Sequence, residues 1–332
     1  MSPSATEQSP EAALLNLAPT DLPLLRPARF DGGGFEVPTD RLSPDDQDLV
    51  RRVYDAVQEL SLLRQVMKDA PDYPALEDYI RRFADGVLLA DVQRLGQDAA
   101  DTAVRRATHD IRGGGLTVLL GTADLLASLP GDRDLIRSCV AAARDHAKIM
   151  RNLVPDLDPA ARAADEAAKA HGIDHFTTKW AGATVHGPAG PVTVSLHCSF
   201  TGAISARCLE TASIDRVVYN YVNNAVRFAA GVAVALHVLP VGRGLTRWVV
   251  RNAVAPDQAA FLAGHDPARL FAGGVTRGGT GVGLSNCAVI VADCFGLDAP
   301  DEAVARRYLG SAVRGDEYLA WFHWPAYESG RR

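Results

Sequence analysis

Residues 107–126 read ATHDIRGGGLTVLLGTADLL and decide the first half of the fold. After the three glycines, apolar side chains recur every three or four residues, the spacing of one buried helix face. They are Leu116, Leu119, Leu120, Ala123 and Leu126. The helix ends near Leu129, and Asp132 can cap a second helix. Its apolar positions alternate in steps of four and three, as in a coiled-coil seam. They are Ile136, Val140, Ala143, Ala147, Met150 and Val154.

These two helices predict a hairpin, which we assign to residues 96–158. Two antiparallel helices joined by a short turn cannot bury such a stripe by themselves. Two copies of the hairpin would bury it as a four-helix bundle. The pattern therefore predicts a homodimer that forms through the hairpin.

The second half of the chain, residues 160–330, mixes strand and helix patterns. Residues 192–196 alternate as a strand, residues 214–229 are helical in pattern, and a glycine loop opens a helix over residues 283–295. Such a mixture predicts a sheet covered by helices. The expected fold class is α + α/β, with the helical hairpin domain followed by an α/β sandwich.

The N-terminal part divides into two segments. Residues 1–43 are rich in Pro, Ser and Gly, so we expect a disordered or extended arm. A helical pattern starts where Ser43 can cap and Pro44 can occupy the first helical position. Residues 44–95 are accordingly predicted to be a helical docking or signalling region.

Composition excludes several classes of function. The net charge of -6 gives no reason to expect a nucleic-acid partner, which favours a basic face. No apolar stretch is long enough to cross a bilayer, and the N-terminus lacks the basic region of a signal peptide. The five cysteines are scattered without metal-binding spacing, which favours reduced thiols. We expect a cytoplasmic protein without a membrane span.

His109 and Asp110 form the first candidate catalytic pair. Phosphoryl transfer to nitrogen requires a neutral imidazole with one free ring nitrogen. A carboxylate in the next position can bind the other nitrogen, select the tautomer and take up its proton. His109 and Asp110 have the side chains that such a nucleophile and its base require, although by themselves they also fit an exposed histidine with an acidic neighbour.

Asparagines in one helix form the second candidate group. Asn220, Asn223 and Asn224 lie in an otherwise apolar helix, although asparagine is a poor helix former. Asn220 and Asn224 are one turn apart and share a face. Their amide oxygens can hold a Mg²⁺ ion that bridges nucleotide phosphates.

The third candidate group is a glycine loop. Gly279, Gly281 and Gly283 expose backbone N–H groups before a helix N-terminus, which is an anion-binding arrangement. Thr280 adds a hydroxyl group, and Leu284 begins the apolar helix.

In this order, the three groups resemble the H box, N box and glycine box of two-component sensor histidine kinases, over residues 96–325. The resemblance implies a dimerisation and phosphoacceptor hairpin followed by a GHKL-type ATP-binding domain. It adds Arg227 near the phosphates and residues 272–279 as the ATP lid. It implies that Mg-ATP phosphorylates His109, and that a response-regulator receiver domain in trans takes the phosphoryl group onto an aspartate.

The chain departs from this family at two places. Gly113–Gly115 replace a shorter two-residue step, and Gly113 stands where a polar residue normally serves dephosphorylation. The three glycines either act as a hinge beside His109 or reflect sequence drift in a helix that the bundle stabilises. Asn252 stands where an aspartate normally accepts a bond from the adenine amino group, so the acceptor here is uncharged.

Two other functions remain open at this point. A histidine phosphotransferase with a decayed ATP site would exchange phosphoryl groups between receivers. A pseudokinase scaffold would bind partners without catalysis.

Overall fold

The structure is a computed structural model that describes residues 10–22, 30, 36–67, 70–83, 86–242, 244–277 and 280–327. The described helices are α1 (Pro10–Leu15), α2 (Pro44–Val66), α3 (Tyr73–Phe83), α4 (Gly86–Arg94), α5 (Thr102–Arg112), α6 (Gly114–Ser128), α7 (Arg133–Leu153), α8 (Pro159–Glu166), α9 (Asp174–Trp180), α10 (Cys208–Phe228), α11 (Pro256–Ala263), α12 (Pro267–Phe271), α13 (Gly283–Phe295) and α14 (Pro300–Ala305). The described strands are β1 (His171–Gly172), β2 (Thr184–Gly187), β3 (Gly190–Cys198), β4 (Ala203–Ser205), β5 (Ala229–Val241), β6 (Leu245–Val254), β7 (Leu309–Arg314) and β8 (Glu317–Pro325).

Helices α6 and α7 form the predicted hairpin, and Asp132 caps α7 by accepting from the N–H groups of Asp134 and Leu135. Helices α2 and α3 of the same chain pack on this hairpin. Ser43 caps α2 as predicted, with its hydroxyl oxygen accepting from the N–H of Asp46.

The hairpin stripe is buried within a single chain. Leu116, Leu119, Leu126, Ile136 and Met150 are fully buried with α2 and α3 in one core. The chain's own N-terminal helices cover these side chains, so their burial gives no argument for a second copy, and the predicted homodimer rests on the family resemblance alone. The dimeric four-helix bundle is not needed to bury these side chains.

The helix that carries His109 is broken directly after it. Gly113 separates α5 from α6, and Gly114 has a φ of 54°, in the left-handed region that side chains with a Cβ rarely adopt. A Cβ on Gly115 would lie 2.9 Å from the carbonyl oxygen of Ala142 on α7. The break at Gly114 and the close approach of α6 to α7 at Gly115 thus both require glycine. Sequence drift does not explain these two residues.

The second half is an α/β sandwich, as predicted. Its six-stranded sheet has the order β2-β3-β5-β6-β8-β7, with β3 and β5 parallel and all other neighbours antiparallel. Helix α10 lies in the crossover connection between the parallel strands β3 and β5, after the short strand β4. This helix contacts both the sheet and α7 of the hairpin. The helix that carries the candidate asparagines therefore connects the two halves of the molecule.

The described part of the N-terminal arm differs from the disordered or extended chain that its composition predicts. Leu14, Leu17 and Ala18 pack on the outer face of the sheet. The buried guanidinium group of Arg247 donates hydrogen bonds to the carbonyl oxygens of four arm residues, at 2.5 to 2.8 Å. These residues are Leu14, Leu15, Ala18 and Pro19. Apolar contacts and one buried arginine thus order a segment that composition alone assigns to coil.

Among the helices that the structure describes, none combines the length and hydrophobicity that a bilayer crossing requires.

Candidate functional site

His109 lies in the last turn of α5, directly before the glycine break. Its side chain is 17% exposed, and its Nδ1 atom lies 3.1 Å from Oδ1 of Asp110. The two side chains are therefore hydrogen-bonded, as the neighbouring positions in the sequence predict.

Asp110 is buried and held by residues from two other helices. Its Oδ2 accepts from Nε of Arg216 on α10 at 2.8 Å. Its Oδ1 accepts from Nδ2 of Asn286 on α13 at 2.8 Å. Burial alone would raise the pKa of Asp110, but the Arg216 guanidinium and the bonds from His109 and Asn286 hold that pKa well below its usual range. The group is therefore a stable carboxylate.

Asn220 links this pair to the glycine loop. Its Nδ2 donates to the carbonyl oxygen of Arg216 at 2.9 Å and lies 3.5 Å from Oδ1 of Asp110. Its Oδ1 is directed toward Gly283, where a Cβ would lie 2.8 Å away. Only glycine leaves room for this oxygen at the start of α13.

Almost every residue that the sequence predicts for the site lines one cavity of about 720 Å³. Of those residues, the cavity is lined by His109, Asn220, Asn224, Arg227, Asn252, Thr280, Gly281, Gly283 and Leu284. Asp110 is buried and hydrogen-bonded to His109. Gly279 lies outside the described residues. The volume suits a ligand of the size of a nucleotide.

The loop around the glycines approaches the preceding segment closely. Gly281 has a φ of 68°, and a Cβ on it would lie 3.0 Å from the backbone nitrogen of Gly274. The N–H of Gly274 donates to the carbonyl oxygen of Gly281 at 3.1 Å. Because Gly283 begins α13 and lines the cavity, the positive end of this helix lies at the cavity wall. The geometry is compatible with the anion-binding role that the sequence predicts, which stays a prediction.

Asn252 lies on β6 and lines the same cavity. Its side chain is buried, and its Nδ2 donates to the carbonyl oxygen of Ala253 at 3.1 Å. Its Oδ1 has no hydrogen-bond partner among the described residues. A buried acceptor without a donor is costly unless a ligand supplies the donor. The amide is therefore oriented to accept a bond from a ligand amino group.

A second cluster of charged groups joins α7, α9 and α10. Carboxylate oxygens of Asp145 and Asp215 and a ring nitrogen of His175 lie within 4.8 Å of one another. The ammonium group of Lys179 bonds to both carboxylates, at 2.8 Å in the case of Asp145. Arg144 also pairs with Asp145, at 3.1 Å, so two cations balance the two acids. The cluster is therefore a buried ion-pair group that ties the hairpin to the sandwich rather than a metal centre.

Sequence reasoning missed two residues of the site, Arg216 and Asn286. Each is a polar residue in an apolar helix, and each lies one turn from a predicted site residue: Arg216 from Asn220, and Asn286 from Gly283. That spacing was the available signal, since residues three and four apart share a helix face. Their common partner, Asp110, is not apparent from the sequence.

A comparison with protein-family models found no match, and no curated protein matches this chain in sequence. Solved structures that resemble it include full-length ShkA in complex with AMPPNP, at 17% identity and a TM-score of 0.32, covering 78% of this chain and 46% of that one. A histidine kinase from Burkholderia phymatum STM815 matches at 15% identity and a TM-score of 0.31, covering 68% and 97%. The histidine kinase domain of the blue-light activated kinase EL346 from Erythrobacter litoralis matches at 11% identity and a TM-score of 0.30, covering 84% and 94%. The chain thus spans less than half the length of ShkA.

Proposed function

We propose that this chain is the core of a two-component histidine kinase and transfers the γ-phosphoryl group of Mg-ATP to its own His109. The observation that carries the proposal is the contact between the nucleophile and the glycine loop. Atom Cε1 of His109 lies 3.4 Å from the position of a Cβ on Gly283, the first residue of α13. The acceptor imidazole and the anion-binding helix end therefore face one cavity of one chain.

The cavity offers a fitting group for each part of the nucleotide. Asn252 supplies the unpaired acceptor that an adenine amino group would fill. The start of α13 and the guanidinium group of Arg227 supply positive potential for the phosphates. These features favour a working nucleotide site over a decayed one, and thus a kinase over a phosphotransferase.

Asn220 and Asn224 would hold Mg²⁺ through their amide oxygens. This assignment fits the contacts of Asn220, whose Nδ2 rather than Oδ1 bonds to Arg216 and Asp110. When bound, the ion neutralises charge on the phosphates, and positioning supplies most of the remaining catalysis.

Transfer onward would place the phosphoryl group on an aspartate of a receiver domain in a separate response regulator. His109 is mostly covered by α10 and α13 in the present arrangement. We therefore infer that the sandwich moves away from α5 before a receiver domain reaches the phosphorylated histidine.

Incubation with γ-labelled ATP and Mg²⁺ tests the proposal. The wild-type chain is expected to gain acid-labile label, and His109→Ala and Asn224→Ala are expected to remain unlabelled. Label that a phosphorylated receiver supplies, without any from ATP, would identify the phosphotransferase instead. No label from either source would identify a scaffold.

A further inference from the structure

Asp110 is immobilised by four donors on three helices. Arg216 on α10 bonds to Oδ2, Asn286 on α13 bonds to Oδ1, and His109 on α5 lies 3.1 Å from the same Oδ1. Nδ2 of Asn220 on α10 makes a longer contact of 3.5 Å with Oδ1. Asp110, Arg216 and Asn286 are all buried. Both oxygens of the carboxylate therefore have fixed directions, and water does not compete for them.

We propose, on the basis of the proposed kinase function, that Arg216 and Asn286 are positioning residues that orient the carboxylate of Asp110 and thereby make Nε2 of His109 the nucleophile. Neither residue touches the reacting atoms. Both act through Asp110, whose direction they determine.

Hydrogen-bond chemistry leaves the free lone pair of the His109 ring on Nε2. An ionised carboxylate only accepts hydrogen bonds, so the Nδ1 atom that faces it must carry the ring proton. In a neutral imidazole the other nitrogen, Nε2, then keeps its lone pair. Cε1, which is bonded to both ring nitrogens, lies 3.4 Å from the Cβ position of Gly283, so the imidazole ring adjoins the start of α13. Because Nδ1 faces Asp110, Nε2 is the ring nitrogen left for the phosphoryl group.

This geometry changes the role of Asp110 from the one that the sequence predicts. In the transfer step a bond forms between Nε2 and the γ-phosphorus, the bond from phosphorus to the bridging oxygen breaks, and that electron pair leaves with ADP. The proton on Nδ1 stays in place, and the ring gains a positive charge opposite the carboxylate. Asp110 thus selects the tautomer and stabilises the charged ring instead of removing a proton, as the acid of a Ser-His-Asp triad does.

Arg216 and Asn286 have separable contributions. Arg216 balances the buried negative charge, which would be strongly destabilising without a partner. Asn286 bonds to the same oxygen that His109 uses, and also donates to the carbonyl oxygen of Arg106 at 3.3 Å. Loss of either residue would let the carboxylate rotate away from Nδ1.

The first test is spectroscopic and does not depend on activity. Long-range ¹H–¹⁵N spectra of protein with ¹⁵N-labelled histidines report which ring nitrogen is protonated, and the spectrum of His109→Gln assigns the signals. We expect the Nδ1-protonated form in the wild-type chain and a mixture of both tautomers in Arg216→Gln and Asn286→Leu. Arg251→Gln, which changes an arginine paired with Glu317 on neighbouring strands, is the control and should keep the wild-type form.

The second test separates positioning from nucleotide binding. In Arg216→Gln and Asn286→Leu the rate constant for autophosphorylation should fall about tenfold or more, with KM for ATP nearly unchanged, and Arg216→Lys should recover part of the rate. Thermal denaturation identifies a variant that does not fold. Asn286→Leu, which removes one of the four donors and keeps the charge of Arg216, then tests the proposal by itself.

A wild-type-like tautomer of His109 in both folded variants would overturn the proposal. So would a Nε2-protonated ring in the wild-type chain. Failure of the wild-type chain to accept label from ATP would instead reject the kinase function, and the spectra would still decide whether Arg216 and Asn286 orient the ring.

Discussion

At the scale of single residues, Asn252 offers the proposed nucleotide site an uncharged acceptor. The bond from its Nδ2 to Ala253 orients the amide, so Oδ1 is the atom left for a ligand. An aspartate would present an acceptor in either orientation, but with a buried charge that needs compensation. The amide is thus a weaker acceptor whose direction is defined by the backbone.

Replacing Asn252 by Ala should weaken ATP binding about tenfold, which corresponds to one neutral hydrogen bond. The preference for ATP over GTP should decrease as well, because the lost acceptor faces the amino group of adenine. Titration calorimetry with both nucleotides measures the two effects. Asn252→Asp, which keeps an acceptor, is the control, and equal affinity in all three proteins would contradict this assignment.

Gly283 is the residue where the proposed nucleotide site meets His109, the proposed phosphoacceptor. In Gly283→Ala the new Cβ would lie 2.8 Å from Oδ1 of Asn220, which is closer than such contacts occur, so Asn220 has to move. We expect autophosphorylation to fall about tenfold or more while the unfolding temperature changes little. Gly231→Ala is the control, since a Cβ there meets nothing within 4 Å. Equal loss of activity in both variants would contradict a specific role for Gly283.

At the scale of secondary-structure elements, the break between α5 and α6 is the feature that places His109 at a helix end. Without the break, His109 would lie in the middle of a long helix. The non-helical ψ of −136° at Gly113 and the left-handed φ of Gly114 are the local causes. The close approach of Gly115 to Ala142 keeps α6 against α7.

Replacing Gly114 by Ala should therefore lower the free energy of unfolding by about 1 to 2 kcal/mol, the cost of a left-handed conformation for an L-residue. Gly114→Asn should be less destabilising, because asparagine tolerates this conformation better. Urea denaturation of the three proteins measures the difference. If alanine stabilised the chain, as it would in a continuous helix, the break would not exist in solution.

At the scale of the whole molecule, α2 and α3 occupy the place on the hairpin where the sequence pattern predicts a second copy. We therefore expect light scattering after gel filtration to give the mass of one chain, 35.4 kDa. A mass of two chains would mean that another surface drives association.

The same arrangement predicts phosphoryl transfer within one chain. A mixture of His109→Ala and Asn224→Ala should remain unlabelled by γ-labelled ATP, because neither chain has both an acceptor and a complete nucleotide site. Label on the Asn224→Ala chain in the mixture would demonstrate transfer between chains.

Buried histidines should make the fold sensitive to acid. Burial lowers the pKa of His146 and of His323 to about 4 in each case. An unfolded histidine titrates near 6.5, so between these pH values the unfolded chain binds more protons and stability falls as the pH falls. Each group should contribute roughly 1 kcal/mol per pH unit to the slope of the unfolding free energy. Urea denaturation from pH 7 to pH 4 measures this slope, which should be smaller in His146→Leu. An unchanged slope in that variant would contradict the prediction.

The sequence by itself determined the elements and most of the site. Helix boundaries at Ser43 and Asp132, the hairpin stripe, the glycine-opened helix and the asparagine pair are local patterns, and they depend on side-chain periodicity and capping that neighbouring residues define. The candidate residues His109, Asn220, Asn224 and Gly283 could therefore be selected before any fold was known.

Only the tertiary structure decided which helices cover the apolar stripe of the hairpin and which side chains bond to the carboxylate of Asp110. Periodicity shows that a face is buried but not which helix buries it, so α2 of the same chain and a second copy were indistinguishable. Arg216 is 106 positions and Asn286 is 176 positions from Asp110, and one sequence does not encode such a pairing in any local pattern. The fold brings these side chains together because burial of the apolar faces of α5, α10 and α13 places their polar residues at a common point.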